Sequence, residues 1–142
     1  MNVAWWATEV RSRLFCAVPV HSGWAGLDDR FQHLRRRRIR GYVEVAFPDA
    51  GSRRLSIGFR GLYAVVRSVG TDPAARSFLL GGDGSVPDGA YVQVPVRDDL
   101  IRFDGEFVLD VEHAWELVHT FVRTGETGDL GHWHLTRPGP AA

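Results

Sequence analysis

Three strand-length segments follow one another with only turn chemistry between them, and this run constrains the fold more than any other feature. "YVEVAF" (42–47) alternates loosely, and "PDAGS" then supplies turn residues. "RLSIGF" (54–59) places Leu55, Ile57 and Phe59 on one face with a clean period of two. "RG" makes a tight turn into "LYAVVRSV" (62–69). Alternating runs joined by short turns predict an antiparallel meander. "GTDP" breaks it, and "RSFLL" (76–80) fits another short strand.

Helices flank this meander. In "LDDRFQHLRRRR" (27–38), Leu27, Phe31 and Leu34 form one buried stripe. Asp28 and Asp29 near its start and arginines at its end suit the helix dipole. Later, Asp110 is a good N-cap for a helix whose apolar stripe runs through Val111, Ala114, Trp115, Val118, Phe121 and Val122. Gly125 supplies its stop. Between the helices, "AYVQVPVRD" (90–98) alternates again, and Pro95 argues for an edge position or a strand end. "DDLIRFDGEFVLD" reads as a short strand, a turn at Asp104–Gly105 and an apolar return, and "HWHLT" (132–136) as a closing strand. At the N-terminal side, "ATEVRSRLFCAV" fits a strand pair or a short helix, with strand favoured, and "PVHSGWAG" reads as loop, while the tail "RPGPAA" (137–142) is expected to fray. The 142 residues are the usual size of one domain. The expectation is one α+β domain over 1–142, an antiparallel sheet packed by two main helices.

Charge and cysteine content narrow the function classes. All 17 basic residues are arginine, yet they are matched by 17 acidic residues. A nucleic-acid module usually shows a clear basic excess, so this balance argues against one. The arginine usage itself reads as coding bias toward GC-rich codons. The distribution is uneven: residues 1–77 hold 13 Arg and 6 acidic residues, and residues 78–142 hold 4 Arg and 11 acidic residues. Two faces of opposite potential follow if the halves are separate in space. Cys16 is the single cysteine, which excludes an internal disulfide and a multi-cysteine zinc site, and "LFCAV" suggests a buried, inert thiol. No apolar run approaches the ~18 residues of a membrane span, and the start lacks the order of a secretory signal, so a cytoplasmic protein is expected.

Several residues have catalytic or binding potential. His132 and His134 share a strand face and could meet one ion, but a zinc site needs three or four ligands, and His21, His33, His113 and His119 show no ligand spacing. Ligand count therefore favours a closing strand with Trp133 in the core. Glu116 lies three residues from both His113 and His119 and could pair with either, a spacing common on solvated helix faces. "RRRRIR" (35–40) could contact phosphates, or be a solvated helix end. "GGDGSVPDG" (81–89) lacks both Rossmann context and Walker spacing and reads as a loop. No nucleophile sits in a recognisable catalytic context. The acidic stretch 98–116 is either a solvated surface or one that attracts a basic partner.

From Leu55 onward the layout resembles the Imm1 family of bacterial immunity proteins. The matching text is "RLSIGFRGLYAVV", "YVQVPV", "VEHAWELVHTFVRTGE" and "HWHLT", with the preceding helix and "GYVEVAFPDAG" also similar. The resemblance covers about residues 25–136. It departs after "TGE", where Gly128 and Asp129 replace a more usual proline. The resemblance implies an inhibitor that binds a cognate toxin, often a nuclease or nucleic-acid deaminase domain encoded beside it, and blocks its active site or substrate cleft. It implies no catalysis, no cofactor, no metal, and no direct contact with nucleic acid or membrane. Trp133, Gly125 and the Leu55/Ile57 strand would be fold residues. Asp98, Asp99, Asp104 and Glu106 are the expected partner contacts, being charged, close to a turn and outside the main apolar stripe. The alternatives are a small metal-dependent enzyme using His132 and His134, and a nucleic-acid binder acting through Arg35–Arg38.

Overall fold

The computed structural model describes residues 2–48, 53–70 and 76–136. In chain order the elements are β1 (Val3–Ala7), β2 (Val20–Ser22), α1 (Trp24–Arg37), β3 (Arg40–Ala46), β4 (Arg53–Arg60), β5 (Tyr63–Gly70) and β6 (Phe78–Leu80). They continue with β7 (Tyr91–Val96), β8 (Asp99–Asp104), β9 (Leu109–Asp110), α2 (Val111–Thr124) and β10 (Trp133–Leu135). The main sheet runs β10-β6-β5-β4-β3-β1-β2, with β9 beside β5, while β7 and β8 pair with each other alone. Every pairing among these strands is antiparallel. The fold is α+β, and β3–β4–β5 is the meander that the alternating segments predict.

The two-residue period decides what covers each face of the sheet. Val43 and Val45, Leu55, Ile57 and Phe59, and Ala64 and Val66 are buried in one core with the stripes of α1 and α2. Phe31 of α1 stacks on Trp115 of α2, with ring centroids 3.7 Å apart and planes 2° from parallel. The Trp115 indole N–H also donates to Asp28 Oδ1 at 2.8 Å, so the polar atom of a buried ring is satisfied. On the other face, Val65 joins Val86, Val94 and Val108 in a second, smaller core under the β7–β8 hairpin. Gly58 permits this approach: a Cβ there would fall 2.1 Å from the Pro95 carbonyl oxygen. The central strands thus have apolar cover on both faces, which explains the unbroken "AVV" in β5.

Element ends follow local chemistry. Asp110 caps α2 by accepting from the backbone N–H groups of Glu112 and His113, at 3.1 and 3.3 Å. Gly125 ends it with φ +75°, its N–H donating to the Phe121 carbonyl at 2.7 Å. Pro95 lies in a two-stranded sheet, where each strand is an edge, in line with its missing N–H.

Four expectations are revised. After Ala7 the segment "ATEVRSRLFCAV" is neither strand pair nor helix but a turn closed by one isolated bridge, Thr8 to Phe15, with the Glu9 N–H donating to the Leu14 carbonyl at 2.9 Å. The first helix begins at Trp24, not Leu27, with no side-chain cap; Trp24 packs on His119 and Trp115, so tertiary contact extends the helix beyond its sequence signal. Part of the expected loop "PVHSGWAG" is β2, anchored to β1, and Ser22 Oγ accepts from the Trp5 indole. The apolar return after Asp104 does not pair with β8; a 3-10 turn at Gly105–Phe107 redirects it to β9 beside β5. The turn residues 49–52, the segment 71–75 and the tail 137–142 lie outside the described residues. Among those described, no helix is long and apolar enough to cross a membrane.

Candidate functional site

The site is built around the tip of the β7–β8 hairpin. Val96 pairs with Asp99, leaving Arg97 and Asp98 as a two-residue turn. Arg97 has φ +55°, a conformation that favours glycine and costs a non-glycine residue on the order of 1–3 kcal/mol. Specific contacts hold it there. Its guanidinium lies 5.3 Å from the Phe15 ring centroid, and its Nε is 3.5 Å from Glu44 Oε2. Asp98 Oδ1 accepts from the Phe15 backbone N–H at 2.8 Å. The tip is therefore fastened both to the segment after β1 and to the middle of β3.

Glu44 is the centre of that fastening. It is 3% exposed, on the sheet face away from the helices. Its Oε1 accepts from Arg54 at 2.8 Å, and its Oε2 accepts from the Tyr42 hydroxyl at 2.6 Å. The Arg54 guanidinium in turn stacks 3.6 Å from the Trp6 ring centroid. Burial, and then the adjacent Glu44 charge, push the Tyr42 phenol well above its ordinary range, so it remains a hydrogen-bond donor.

Beside the tip opens a cleft of about 440 Å³. One wall carries Arg37, Arg38 and Arg40, where α1 passes into β3, with Arg13 nearby. Across from them lie Arg97, Asp98, Asp99 and Leu100 of the hairpin. The "RRRRIR" run is thus divided by its surroundings. Arg35 lies 3.7 Å from Glu112 on α2, Arg38 Nε donates to the Val10 carbonyl at 2.6 Å, and Arg37 and Arg40 are exposed in the cleft. The expected separation of a basic half from an acidic half gives way to interleaving: Glu44 meets Arg97, Arg35 meets Glu112, and Asp98 and Asp99 line the same cleft as Arg37 and Arg38.

The four expected partner contacts do not form one cluster. Asp98 and Asp99 sit at the cleft, whereas Asp104 and Glu106 lie at the far end of β8, about 17 Å along the strand at ~3.4 Å per residue. Asp104 has a folding role: its carboxylate accepts from the backbone N–H groups of Gly89 and Glu106 and caps the 3-10 turn. Asp99 and Glu106 are exposed. The sequence offered no signal for Arg13 or Arg97 as cleft residues, since their proximity arises only when the hairpin folds back over the sheet.

The histidines are distributed differently from their spacing. Trp133 packs against the main core and donates to the Thr127 carbonyl at 2.8 Å. His132 and His134 are exposed, and His134 lies edge-on to Phe107. Among the described residues, no three His, Cys, Asp or Glu side chains are grouped to hold a metal ion. Glu116 is not the partner seen for either helix histidine: His119 stacks on Trp24, and His113 Nδ1 lies 3.0 Å from Asp83 Oδ2. Cys16 is half-buried, its thiol 3.9 Å from the Val18 carbonyl oxygen.

Asp83 is a polar centre that sequence spacing did not reveal. It lies in the glycine-rich loop, and its side chain is only 16% exposed. Oδ1 accepts from the Ser85 hydroxyl and backbone N–H; Oδ2 accepts from the Asp110 N–H at 2.9 Å and faces the His113 ring. Burial alone would raise its pKa. The hydrogen bonds from Ser85, His113 and the Asp110 backbone outweigh that and hold the carboxyl well below its ordinary value of 3.8. The Ser85 hydroxyl engages Asp83 and not the imidazole, so the trio ties the loop to α2 without assembling a nucleophile–base pair. Because the folded-state pKa is depressed, the stabilisation is present above pH 3.8 and is lost as pH falls below it. Asp83→Asn is expected to lower stability near neutrality by about 1–3 kcal/mol, and to flatten the acid loss of stability, in urea unfolding compared at pH ~7 and ~3. An unchanged acid limb would contradict the role given to this carboxylate.

No protein-family model matches the chain, and no curated protein matches it significantly.

Proposed function

We propose that this chain is an immunity protein that binds a cognate bacterial toxin in the cytoplasm and neutralises it by occlusion, without catalysis. The toxin class favoured is a nuclease or nucleic-acid deaminase domain, as the Imm1 resemblance implies. The observation that carries the reading is the surface at the β7–β8 tip. There, charges of both signs are held in place beside exposed apolar side chains: Leu100, which lines the cleft, and Leu14 and Ile39, which neighbour its arginines in sequence. Protein interfaces combine such apolar anchors with complementary charge, which speeds encounter and rejects wrong partners. The resemblance adds the identity of the partner, and its segments fall on the scaffold that carries this tip. "RLSIGFRGLYAVV" corresponds to β4–β5, "YVQVPV" to β7, and "VEHAWELVHTFVRT" to α2.

A toxin that acts on nucleic acid presents a basic cleft, which the aspartates of the tip would meet. Asp98 and Asp99 are therefore the primary contacts among the four acids, and Glu106 contributes from the far end of the hairpin. Reversing both charges, Asp98→Arg with Asp99→Arg, is expected to slow association with the toxin domain by about tenfold or more in surface-based kinetics at low salt. Asp98→Asn with Asp99→Arg controls for loss of the Phe15 hydrogen bond, because the amide oxygen still accepts it. Unchanged association in both variants would remove the tip from the interface.

A further inference from the structure

The arginine wall of the cleft has no role in meeting a basic toxin surface. Five arginines line a space that holds only two aspartates. Arg38 is bonded to the Val10 carbonyl and Arg97 approaches Glu44, but Arg13, Arg37 and Arg40 have no acidic partner among the described residues. Their summed charge gives the cleft a positive potential that attracts an anionic group. Backbone conformation sets how these arginines are presented. Among the described residues, the non-glycine positions with positive φ are Arg13, Ile39 and Arg97. Arg13 and Arg97 line the cleft, and Ile39 lies between the lining residues Arg38 and Arg40. Ile39 ends α1 with its N–H donating to the Leu34 carbonyl at 3.0 Å, and Arg97 turns the hairpin, so these local conformations fix the directions in which the flanking arginines enter the cleft.

The chemistry of the walls selects among anions. A nucleic-acid strand carries a phosphate at every nucleotide and would set some against Asp98 and Asp99, whereas a peptide can place uncharged residues there; none of the lining residues is an aromatic on which a base could stack. An acidic peptide suits the same walls better. Its carboxylates take the bidentate guanidinium geometry of Arg37 and Arg40. Its apolar side chains meet Leu100 and Ile39, which are 40% and 63% exposed.

We propose that the cleft between the α1–β3 arginines and the β7–β8 tip is a docking site for an acidic, apolar-punctuated segment of a protein partner. This deepens the partner-binding reading above. The tip would engage the partner's basic surface while the arginine wall grips one of its acidic loops, which fixes the orientation of the complex.

The test uses the full chain and a short fluorescein-labelled peptide alternating glutamate with leucine, followed by fluorescence anisotropy. An oligothymidylate of similar length serves as the competing polyanion. The expected result is saturable peptide binding that weakens with salt. Arg37→Glu with Arg40→Glu should weaken it by roughly tenfold or more, and Arg13→Glu should weaken it independently. Arg123→Glu, on the exposed face of α2, should leave it unchanged. Arg37 and Arg40 are exposed, so the variants should still melt cooperatively, with only the small loss that an anion at the C-terminal end of α1 brings. Absence of peptide binding, equal loss in Arg123→Glu, or tighter binding of the oligothymidylate would each overturn the proposal. No toxin is present in this assay. Peptide binding that succeeds while toxin neutralisation fails would count against the immunity reading alone, and the reverse pattern against the cleft alone.

Discussion

Glu44→Ala is expected to lower the unfolding free energy by about 3–5 kcal/mol, the usual cost of removing one partner from a buried ion pair. The carboxylate is 3% exposed and is shared by Arg54, Arg97 and the Tyr42 hydroxyl. Its removal leaves the Tyr42 donor and a half-buried guanidinium without an acceptor, and frees the strained Arg97 turn from the sheet. The effect should therefore have two parts. Urea unfolding should show the loss of stability, and amide exchange should show faster exchange at the β7–β8 tip than in α2. Glu44→Gln should retain part of the stability, because the amide still accepts from Tyr42. A loss below 1 kcal/mol in Glu44→Ala would mean that the cluster does not fasten the hairpin.

Phe31→Ala should cost a similar ~3–5 kcal/mol, through a different mechanism. Phe31 is fully buried, stacked on Trp115 and packed against Phe59, so one ring joins α1, α2 and β4. Truncation leaves a cavity at the point where both helices meet the sheet. Equilibrium denaturation followed by the combined fluorescence of the five tryptophans measures the loss. Retention of stability within 1 kcal/mol would show that the helices do not depend on this contact.

The frame was legible in the sequence because it depends on periodicity and local end signals. Leu55, Ile57 and Phe59 announce their face by alternation, and Asp110 and Gly125 mark the ends of α2 through backbone chemistry confined to a few residues. The candidate site was much less legible. Asp98 and Asp99 were visible as turn acids, but the arginines opposite them belong to a helix end more than fifty positions away in the sequence. Asp104 looked like a surface acid, and only its backbone contacts reveal a cap. Glu44 left one trace, a carboxylate between valines in a buried strand. Its partners Arg54 and Arg97 follow from strand register and hairpin packing, neither of which has a local signature. Asp83 was hidden because its partner His113 comes from another element, while helical spacing pointed to Glu116 instead.

Inhibition by binding is the central claim, and co-expression tests it most directly. The cognate toxin domain that the proposal requires, once captured with the tagged chain, would be expressed from an inducible promoter, with and without the chain, while growth is followed and the two proteins are co-purified. The account predicts growth arrest by the domain alone, restored growth with the chain, and a stoichiometric complex that survives size-exclusion chromatography. Continued arrest with both proteins present at comparable levels, and separate elution, would contradict it.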